Sequence, residues 1–354
     1  MTNYRVIGLM SGTSLDGLDI ICVRFNYRNT WKYQIEYCST YSYPDEWIQK
    51  LKNAPQLNEE KIKLLDLEYG ILLGDMINHF IQENKIIKTK LDLISSHGHT
   101  VFHQPERGIT LQIGDGQSIS NLTKINVINN FRAVDVSLGG QGAPLVPIGD
   151  QLLFSEYTYC LNLGGIANIS IKEKDEIKAG DIAFANMVSN DLAKKKNLMY
   201  DIDGHLAESG RISVPLLNEL NKLPYFDKPF PKSLATEGYV NWFKPVLEKY
   251  DVPVEDKLHT VGNHLCIQIK KAIKEVESPI LITGGGALNS FWIKKLANLG
   301  LNIKIPDREL VEYKEALIFA LLGVLKKENF INVLSSVTGS SSDTSSGDVF
   351  NPKS

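Results

Sequence analysis

The chain contains few cysteines, and their spacing is not that of a metal site or a disulfide framework. Its 354 residues include 4 cysteines, and no two of them form a Cys-x-x-Cys pair. Widely separated single cysteines argue against structural zinc and are typical of proteins from a reducing compartment. The sequence therefore predicts a cytoplasmic protein.

Long apolar runs and a strong charge of either sign are also missing. No stretch reaches the ~18 consecutive apolar residues of a membrane span. The first residues lead directly into a strand, without the basic and apolar regions of a signal peptide. The formal net charge of -3 gives no global attraction to nucleic acid or to anionic membranes. We therefore expect neither nucleic acid nor a membrane as a partner.

The remaining composition is that of a globular protein in which strands and helices alternate. Hydrophobic residues make up 43% and charged residues 22%, and the chain is long enough for two domains with separate cores. Aromatic and β-branched residues predict a strand over 33–42, and apolar residues at helical spacing predict a helix over 58–84. An α/β class follows from this alternation.

The first candidate site is a hairpin over residues 7–20, in which two apolar strands flank a turn rich in hydroxyls. Its glycines allow a ligand to approach the backbone closely. We expect the backbone N–H groups and the hydroxyls of the turn, including the Ser11 hydroxyl, to face phosphate oxygens. Asp16 and Asp19 beside a phosphate indicate a hydrated Mg2+. An ordinary surface hairpin remains an alternative at this point. The candidate nucleotide-binding residues here are Gly12, Thr13, Ser14, Leu15, Asp16, Gly17, Leu18 and Asp19.

A similar hairpin over residues 157–172 and a glycine run near position 285 extend this pattern. The hairpin again consists of a strand, a glycine-rich polar turn and a strand, which suggests two related domains. The run follows a buried strand and precedes a helix over 290–298, an arrangement that suits a nucleotide. The candidate nucleotide-binding residues of these segments are Gly164, Gly165, Asn168, Gly284, Gly285 and Gly286.

Polar residues after two further strands form a second kind of candidate. His97, His99 and His103 lie in and after a turn and have no cysteine partners, which favours hydrogen-bonding histidines over a metal site, so we assign no metal ligand. Arg132 precedes the glycine-rich segment 139–142, which is typical of a loop that closes over a ligand, although an interdomain linker is compatible with the same residues.

Taken in order, these segments resemble the actin-like fold of sugar kinases and Hsp70 ATPases, and more narrowly the anhydro-N-acetylmuramic acid kinases. The resemblance covers essentially the whole chain. Its segments are residues 8–19, 96–98, 111–116, 131–132, 139–147, 162–168, 200–204, 231–233, 284–286, 315–316 and 336–339.

The resemblance implies two actin-like (ribonuclease H-like) α/β domains with a nucleotide cleft between them. We expect the first domain over 1–135 and the second over 136–330, followed by a Ser-, Gly- and Thr-rich tail over 331–354 that returns to the first. The implied reaction opens the 1,6-anhydro ring of anhydro-N-acetylmuramic acid with water and phosphorylates O6 from ATP with Mg2+, in the recycling of cell-wall sugar. The implied substrate-binding residues are His97, Arg132, Gln141 and Glu315.

The catalytic base of the family corresponds to Asp181, but the segment that follows departs from the family pattern. The family has Asp-Thr-Gly-Pro-Gly-Asn, whereas residues 181–186 here read Asp-Ile-Ala-Phe-Ala-Asn. Ala183 and Ala185 would tolerate a positive φ poorly, so the loop that aims the base is expected to be altered. A turn or helix N-cap aspartate is the structural alternative for Asp181. A second departure follows residues 231–233, where Thr236 replaces an arginine of the family.

Three functions therefore remain open from the sequence. The chain is a working anhydro-N-acetylmuramic acid kinase, a catalytically impaired nucleotide- or sugar-binding protein of the same fold, or a kinase for a different sugar. The oligomeric state stays open as well, with a homodimer as one expectation.

Overall fold

The computed structural model describes residues 2–12, 15, 17–174, 176–234 and 236–353. The strands are β1 (Thr2–Ser11), β2 (Leu18–Tyr27), β3 (Trp31–Tyr41), β4 (Leu93–Ser96), β5 (His99–Gln104), β6 (Ile109–Ile113), β7 (Val127–Asn129), β8 (Tyr159–Leu163), β9 (Ile166–Glu173), β10 (Glu176–Phe184), β11 (Ile280–Thr283), β12 (Ile303–Lys304) and β13 (Asp348–Phe350).

Helices separate and cover these strands. The α-helices are α1 (Asp45–Asn53), α2 (Glu59–Glu83), α3 (Gly116–Thr123), α4 (Ala133–Ser137), α5 (Val146–Leu153), α6 (Asn186–Lys194), α7 (His205–Ser209), α8 (Val214–Asn221), α9 (Thr236–Gly238), α10 (Lys244–Lys249), α11 (Val254–Ala272), α12 (Ser290–Asn298), α13 (Arg308–Lys327) and α14 (Ser335–Thr338). Short 3-10 turns lie at Ala54–Gln56, Lys88–Lys90, Pro105–Arg107, Ile202–Gly204, Pro224–Asp227 and Gly285–Leu288, and a π-helical turn at Tyr239–Phe243. Within the described ranges, no helix combines the length and the apolar character that a membrane crossing requires.

The chain forms two compact units, Met1–Leu153 with Tyr313–Ser354, and Phe154–Glu312. The first unit contains a sheet in the order β13-β7-β4-β1-β2-β3, and β5 and β6 form a separate two-stranded ribbon. In this sheet β1, β2 and β3 are an antiparallel meander, whereas β4 and β7 run parallel to β1. The final strand β13 pairs antiparallel with β7 at the edge of the sheet.

The second unit repeats the same topology. Its sheet has the order β10-β9-β8-β11-β12. Again the first three strands form an antiparallel meander, and β11 and β12 are parallel to β8. The prediction of two ribonuclease H-like α/β domains is confirmed by this repeated strand order.

Both sheets are buried by apolar residues with the periodicity of their elements. Helix α2 begins after Asn58, whose side chain accepts a hydrogen bond from the Lys61 N–H at 3.0 Å. Its buried residues include Ile62, Leu65 and Tyr69, which recur at the three- and four-residue spacing of one helix face. The predicted helix over 58–84 is therefore confirmed.

The division between the units differs from the predicted domain boundaries after 135 and 330. Helix α5 belongs to the first unit, since Asp150 forms a buried ion pair of 2.6 Å with Lys314. Gly149 also lies against Ile318, and a Cβ at that position would come within 2.6 Å of the isoleucine side chain. The chain thus returns to the first unit within α13, at Tyr313.

Candidate functional site

In the first unit, the hairpin between β1 and β2 is closed by Ser11 opposite Leu18. Thr13, Ser14 and Asp16 lie outside the described residues. Leu15 adopts a left-handed φ of 60° and packs against the core of the unit, and Leu18 is buried in that core. Gly17 lies against β3, where a Cβ would come within 2.7 Å of the Tyr41 carbonyl oxygen. Leu15 and Leu18 therefore have only their backbones to offer a ligand.

Ser11 belongs to a buried hydrogen-bond chain beneath this turn. The Tyr43 hydroxyl donates to Ser11 Oγ at 2.9 Å and lies 2.7 Å from the Tyr69 hydroxyl. Ser11 Oγ is 3.1 Å from His99 Nδ1, and burial lowers the pKa of His99 to about 4. The imidazole is neutral, and its tautomer decides whether Nδ1 or the serine hydroxyl is the donor of this hydrogen bond. The expectation that the Ser11 hydroxyl faces a phosphate is therefore wrong, since the hydroxyl is engaged inside the core.

Asp19 is the described carboxylate next to the hairpin turn. It is half-buried near the start of β2, and the Thr40 hydroxyl donates to its Oδ1 at 2.6 Å. The Thr40 hydroxyl is also 3.1 Å from that of Tyr313. The ranges that the structure describes contain no group of three or more His, Cys, Asp or Glu side chains arranged to hold a metal ion.

Arg132 and His97 form a hydrogen-bonded pair at the carboxyl ends of parallel strands. His97 follows β4 and Arg132 follows β7, so both lie at the sheet edge where α/β proteins bind ligands. Two guanidinium nitrogens of Arg132 lie 2.8 and 3.2 Å from His97 Nε2, and a third donates to the Gly142 carbonyl at 2.6 Å. Burial and the Arg132 charge hold the pKa of His97 well below its usual range. His97 is thus a neutral acceptor that orients the guanidinium.

Glu315 of α13 interacts electrostatically with the same arginine. Burial raises the pKa of Glu315, and the positive charges of Arg132 and Lys314 oppose this rise. Burial in turn lowers the pKa of Arg132 to about 10, against the influence of Glu315. The structure therefore brings together His97, Arg132 and Glu315, three of the four predicted substrate-binding residues.

Gln141, the fourth of these residues, lies beside the group but has an exposed side chain. Its backbone N–H donates to the Thr338 carbonyl at 2.8 Å, and the next residue, Gly142, is the acceptor for Arg132. The glycine-rich segment is therefore connected to the arginine through its backbone rather than through the Gln141 amide.

Asp135 is a residue of this region that the sequence analysis missed. It is fully buried, and its two carboxylate oxygens accept hydrogen bonds of 2.7 Å from the Gly142 N–H and from the Thr338 hydroxyl. The Gly140 N–H donates to its backbone carbonyl at 2.9 Å. The sequence signal for this residue was one charged side chain in the short helix α4, just before the glycine-rich segment 139–142. Asp135 fixes the segment that accepts from Arg132.

In the second unit, four polar residues form one row across the sheet. Asp181 is opposite Asn168, Asn168 is opposite Asn162, and Asn162 is opposite Thr283. Directly opposite residues present their side chains on the same face of a sheet. The second hairpin, the strand before the glycine run and Asp181 therefore place polar side chains side by side.

The glycines of this unit divide into packed and open positions. Gly284 has a φ of 80°, and a Cβ there would collide with Asn162. At Gly286 a Cβ would come within 2.7 Å of Leu163. By contrast, the nearest atom to a Cβ at Gly285 is 3.8 Å away, and at Gly165 it is 4.0 Å away. The outer glycines thus let the run pack on the hairpin, while Gly165 and Gly285 leave backbone open to a ligand.

Asn186 joins the second hairpin to α6. Its side-chain amide donates to the Leu163 carbonyl at 3.1 Å, and its backbone N–H donates to Gly164 at the same distance. Ala185 donates to the Gly165 carbonyl at 2.9 Å. These contacts use the carbonyl groups of the turn, which leaves Gly164 and Gly165 in a fixed conformation next to the row of polar residues.

Asp181 lies within strand β10, not in a turn or at a helix N-cap. The strand continues to Phe184 with a bulge between Asp181 and Ala183. The N-cap of α6 is Ala185, whose φ of -123° is negative and whose ψ of -103° lies outside the helical and extended regions. Ile182 is buried in the core of the unit, as are the three residues after it. The expectation of an altered loop after Asp181 is therefore wrong. Residues 182–184 continue an apolar strand, and none of them has the positive φ that would call for glycine.

The Asp181 carboxylate is partly withdrawn from solvent. Its Oδ2 accepts a hydrogen bond of 2.7 Å from the Leu234 N–H. Burial raises the pKa of Asp181 to about 6, against the lowering influence of that N–H. A carboxylate with a pKa near neutrality is suited to take up a proton at physiological pH.

Comparison with known proteins identifies relatives along the whole chain. A family model described as anhydro-N-acetylmuramic acid kinase matches residues 4–352. A protein of that name from Francisella tularensis subsp. novicida (strain U112) is 34% identical over 373 residues, covering 97% of each chain. Its counterpart from Shewanella denitrificans (strain OS217 / ATCC BAA-1090 / DSM 15013) is 33% identical over 366 residues, covering 98% of each chain. Another, from Sulfurovum sp. (strain NBC37-1), is 31% identical over 363 residues, covering 99% of this chain and 100% of that protein.

Proposed function

This chain belongs to the anhydro-N-acetylmuramic acid kinase family, and we propose that it is an ATP-dependent kinase that opens 1,6-anhydro-N-acetylmuramic acid with water. The water oxygen bonds to the anomeric carbon as the bond from that carbon to O6 breaks. O6 takes the γ-phosphoryl group, which gives N-acetylmuramic acid 6-phosphate and ADP. The reaction would recycle cell-wall sugar in the cytoplasm, where ATP is available.

The observation that carries this proposal is the position and environment of Asp181. Its carboxylate is fixed by the Leu234 N–H, has a pKa raised to about 6, and lies in one row with Asn168 of the second hairpin. We assign it as the general base that accepts the proton of the attacking water. With this pKa the Asp181 carboxylate is mostly deprotonated at neutral pH, so it can accept a proton without help from another group.

The nucleotide is assigned to the glycine-bearing turns of the two units. Gly165 and Gly285 have backbone open to a ligand, which fits the close approach of a phosphate or an adenosine. In the first unit we assign Gly12, Gly17 and the intervening backbone to the phosphates. Phosphoryl transfer depends mainly on positioning and on neutralising charge, which such turns supply. Asp19, as an oxygen ligand next to this turn, would hold a hydrated Mg2+, which neutralises phosphate charge when bound.

The sugar is assigned to the group formed by His97, Arg132 and Glu315. Arg132 keeps its charge at neutral pH and is oriented by His97 and the Gly142 carbonyl, so we propose that it binds the carboxylate of the sugar's lactyl group. Glu315 would accept hydrogen bonds from sugar hydroxyl or amide groups. Gln141, whose side chain is exposed, is proposed as a further contact.

The test is ADP release by the purified protein with Mg-ATP, with and without the anhydro sugar. We expect sugar-dependent turnover, and we expect Asp181→Asn to lower kcat by about 10²- to 10⁴-fold, since it removes the general base. ATP binding measured by calorimetry should be unchanged in the variant.

The possible failures have distinct meanings. Sugar-dependent turnover that persists in Asp181→Asn would contradict the assignment of the base. No turnover in the wild type, with ATP still bound, would contradict kinase activity on this sugar, and turnover with another amino sugar would then identify a different substrate.

A further inference from the structure

Asp181 lies on an edge strand, so part of its backbone has no partner within the sheet. β10 pairs with β9 on one side and is the last strand of its sheet on the other. Unpaired backbone groups at a buried edge are costly, and a second element must satisfy them if the edge is covered. At Asp181 this element is the segment Tyr225–Leu234.

The segment makes three hydrogen bonds to this one residue. The Asp181 N–H donates to the Lys232 carbonyl at 2.8 Å, and the Tyr225 hydroxyl donates to the Asp181 carbonyl at 2.7 Å. The Leu234 N–H donates to the carboxylate at 2.7 Å. The backbone and the side chain of Asp181 are thus held from the same direction, and only one of the three contacts, that of Tyr225, comes from a side chain.

Tyr225 is itself fixed by aromatic packing. Its ring is stacked on Trp242 with centroids 5.9 Å apart and an interplanar angle of 23°, and Phe226 meets it edge-on at 5.5 Å. The Lys232 ammonium lies 4.9 Å from the ring centroid. Burial and the Asp181 charge raise the pKa of Tyr225, so the hydroxyl stays protonated and remains a donor.

Gly180 allows the segment to lie directly on the strand. A Cβ at this position would come within 2.6 Å of the Lys232 carbonyl oxygen and 2.7 Å of the Phe230 ring. Any larger residue would push Lys232 away from the neighbouring Asp181 N–H. The close approach is therefore built into the strand immediately before the carboxylate.

We propose that Tyr225 is a positioning residue for the reaction, which sets the direction of the Asp181 carboxylate by holding the backbone of the bulged edge strand. This proposal rests on the proposed function, in which Asp181 is the base. The apolar residues that follow Asp181 are buried in the core, and their side chains offer its carboxylate no hydrogen bond. Contacts from outside the strand therefore set the direction of the carboxylate. Tyr225 supplies the side-chain part of those contacts, although it does not touch the reacting atoms.

The test is Tyr225→Phe in the full-length protein, which removes the hydroxyl and keeps the ring. We expect kcat to fall about tenfold, because a misdirected base loses its alignment with the water, while the KM for ATP stays unchanged. The acid limb of the kcat–pH profile should move to lower pH, because water that enters at the vacated carbonyl hydrates the carboxylate and lowers the pKa of Asp181.

Tyr250→Phe is the matched control. The Tyr250 hydroxyl donates to the Glu219 carboxylate at 2.5 Å in the same unit, so this variant loses a tyrosine hydrogen bond with no contact to Asp181. It should retain the wild-type kcat and pH profile, and calorimetry with ATP should show that both variants are folded. If Tyr225→Phe has the kcat and acid limb of the wild type, the positioning role is refuted.

The two proposals fail in different ways. Full activity in Asp181→Asn would refute the base itself, whereas an inactive Asp181→Asn beside an unaffected Tyr225→Phe would refute only the role of Tyr225. Should Tyr225→Phe bind no ATP, Gly180→Ala replaces it as the test, since it displaces Lys232 while the hydroxyl remains. Gly180→Ala must then lower kcat and shift the acid limb, and a wild-type profile would refute the positioning of Asp181 by this segment.

Discussion

Arg132 owes its orientation to a histidine that carries no charge. A protonated His97 would repel the guanidinium, but burial and Arg132 itself keep the imidazole neutral, so Nε2 accepts from the arginine. Nδ1 lies 2.9 Å from the Gly98 carbonyl and carries the proton that this contact needs. The Arg132 guanidinium is therefore held in one orientation without repulsion from a second positive charge.

Replacing Arg132 with lysine is expected to weaken binding of the sugar. Lysine keeps the charge but cannot contact His97 and Gly142 together with the planar arrangement of a guanidinium. We expect the KM for the anhydro sugar to rise about 5- to 30-fold, with a smaller effect on the KM for ATP, in initial-rate measurements.

The control for that measurement is Arg107→Lys. Arg107 is exposed on the two-stranded ribbon of the same unit, where it donates to Gln104 Oε1 at 3.0 Å. The Arg107→Lys variant should have the wild-type KM for the anhydro sugar and for ATP. An Arg132→Lys variant with the sugar KM of the wild type would remove Arg132 from the substrate site.

At the scale of single elements, a buried carboxylate organises the loop that the arginine contacts. Asp135 joins the end of the glycine-rich segment 139–142 to Thr338 of the C-terminal tail, with one oxygen for each. The loop is rich in glycine and would otherwise lose much conformational entropy on ordering. Its order therefore depends on this side chain.

Asp135→Ala is expected to destabilise the protein substantially. It leaves the buried Gly142 N–H without its acceptor and removes the shortest hydrogen bond of the Thr338 hydroxyl, at a cost of about 3 kcal/mol. Thr338→Val removes one of the two hydrogen bonds and should cost about 1 kcal/mol. Thermal or denaturant unfolding measures both, and an Asp135→Ala protein as stable as the Thr338→Val protein would contradict the anchoring role.

At the scale of the whole molecule, the chain uses one strand order twice. In each unit the carboxyl ends of the parallel strands hold the candidate residues: His97 and Arg132 after β4 and β7, and Thr283 with the glycine run at the end of β11. The units have separate apolar cores. Loops that follow parallel strands are free to vary while these cores are kept, which is why ligand sites occur there.

Asp181 is expected to lower the stability of the folded chain as the pH rises. The pKa of its carboxylate in the folded protein is raised from 3.8 to about 6, so ionisation favours the unfolded chain between these values. We expect Asp181→Asn to be more stable than the wild type by about 2 kcal/mol at pH 8 and to gain little at pH 4. Unfolding midpoints at both pH values measure this difference.

Asp251→Asn, the same substitution at an exposed position of the same unit, is the control for the loss of one carboxylate. Equal effects of Asp181→Asn at pH 4 and pH 8 would show that the carboxylate does not have a raised pKa in the folded protein. This test does not depend on any activity of the enzyme.

The sequence by itself determined the elements and the motifs, because both depend on neighbouring residues. Apolar periodicity predicted α2, and glycine-bearing turns between apolar strands predicted the two hairpins, each within a few residues of the observed bounds. The family resemblance predicted Asp181, Arg132, His97 and Glu315 as candidates. The last three do lie together, while their roles remain predictions.

Only the tertiary structure decided how those residues are held. The Leu234 N–H that bonds the Asp181 carboxylate is 53 residues away in the chain, and the Thr338 hydroxyl that bonds Asp135 is 203 residues away. No local pattern encodes such pairs, since they form when packing brings distant backbone groups together. The same reason explains why residues 181–184 read as a disrupted turn but fold as a strand: their apolar side chains are buried by a core assembled from the rest of the unit.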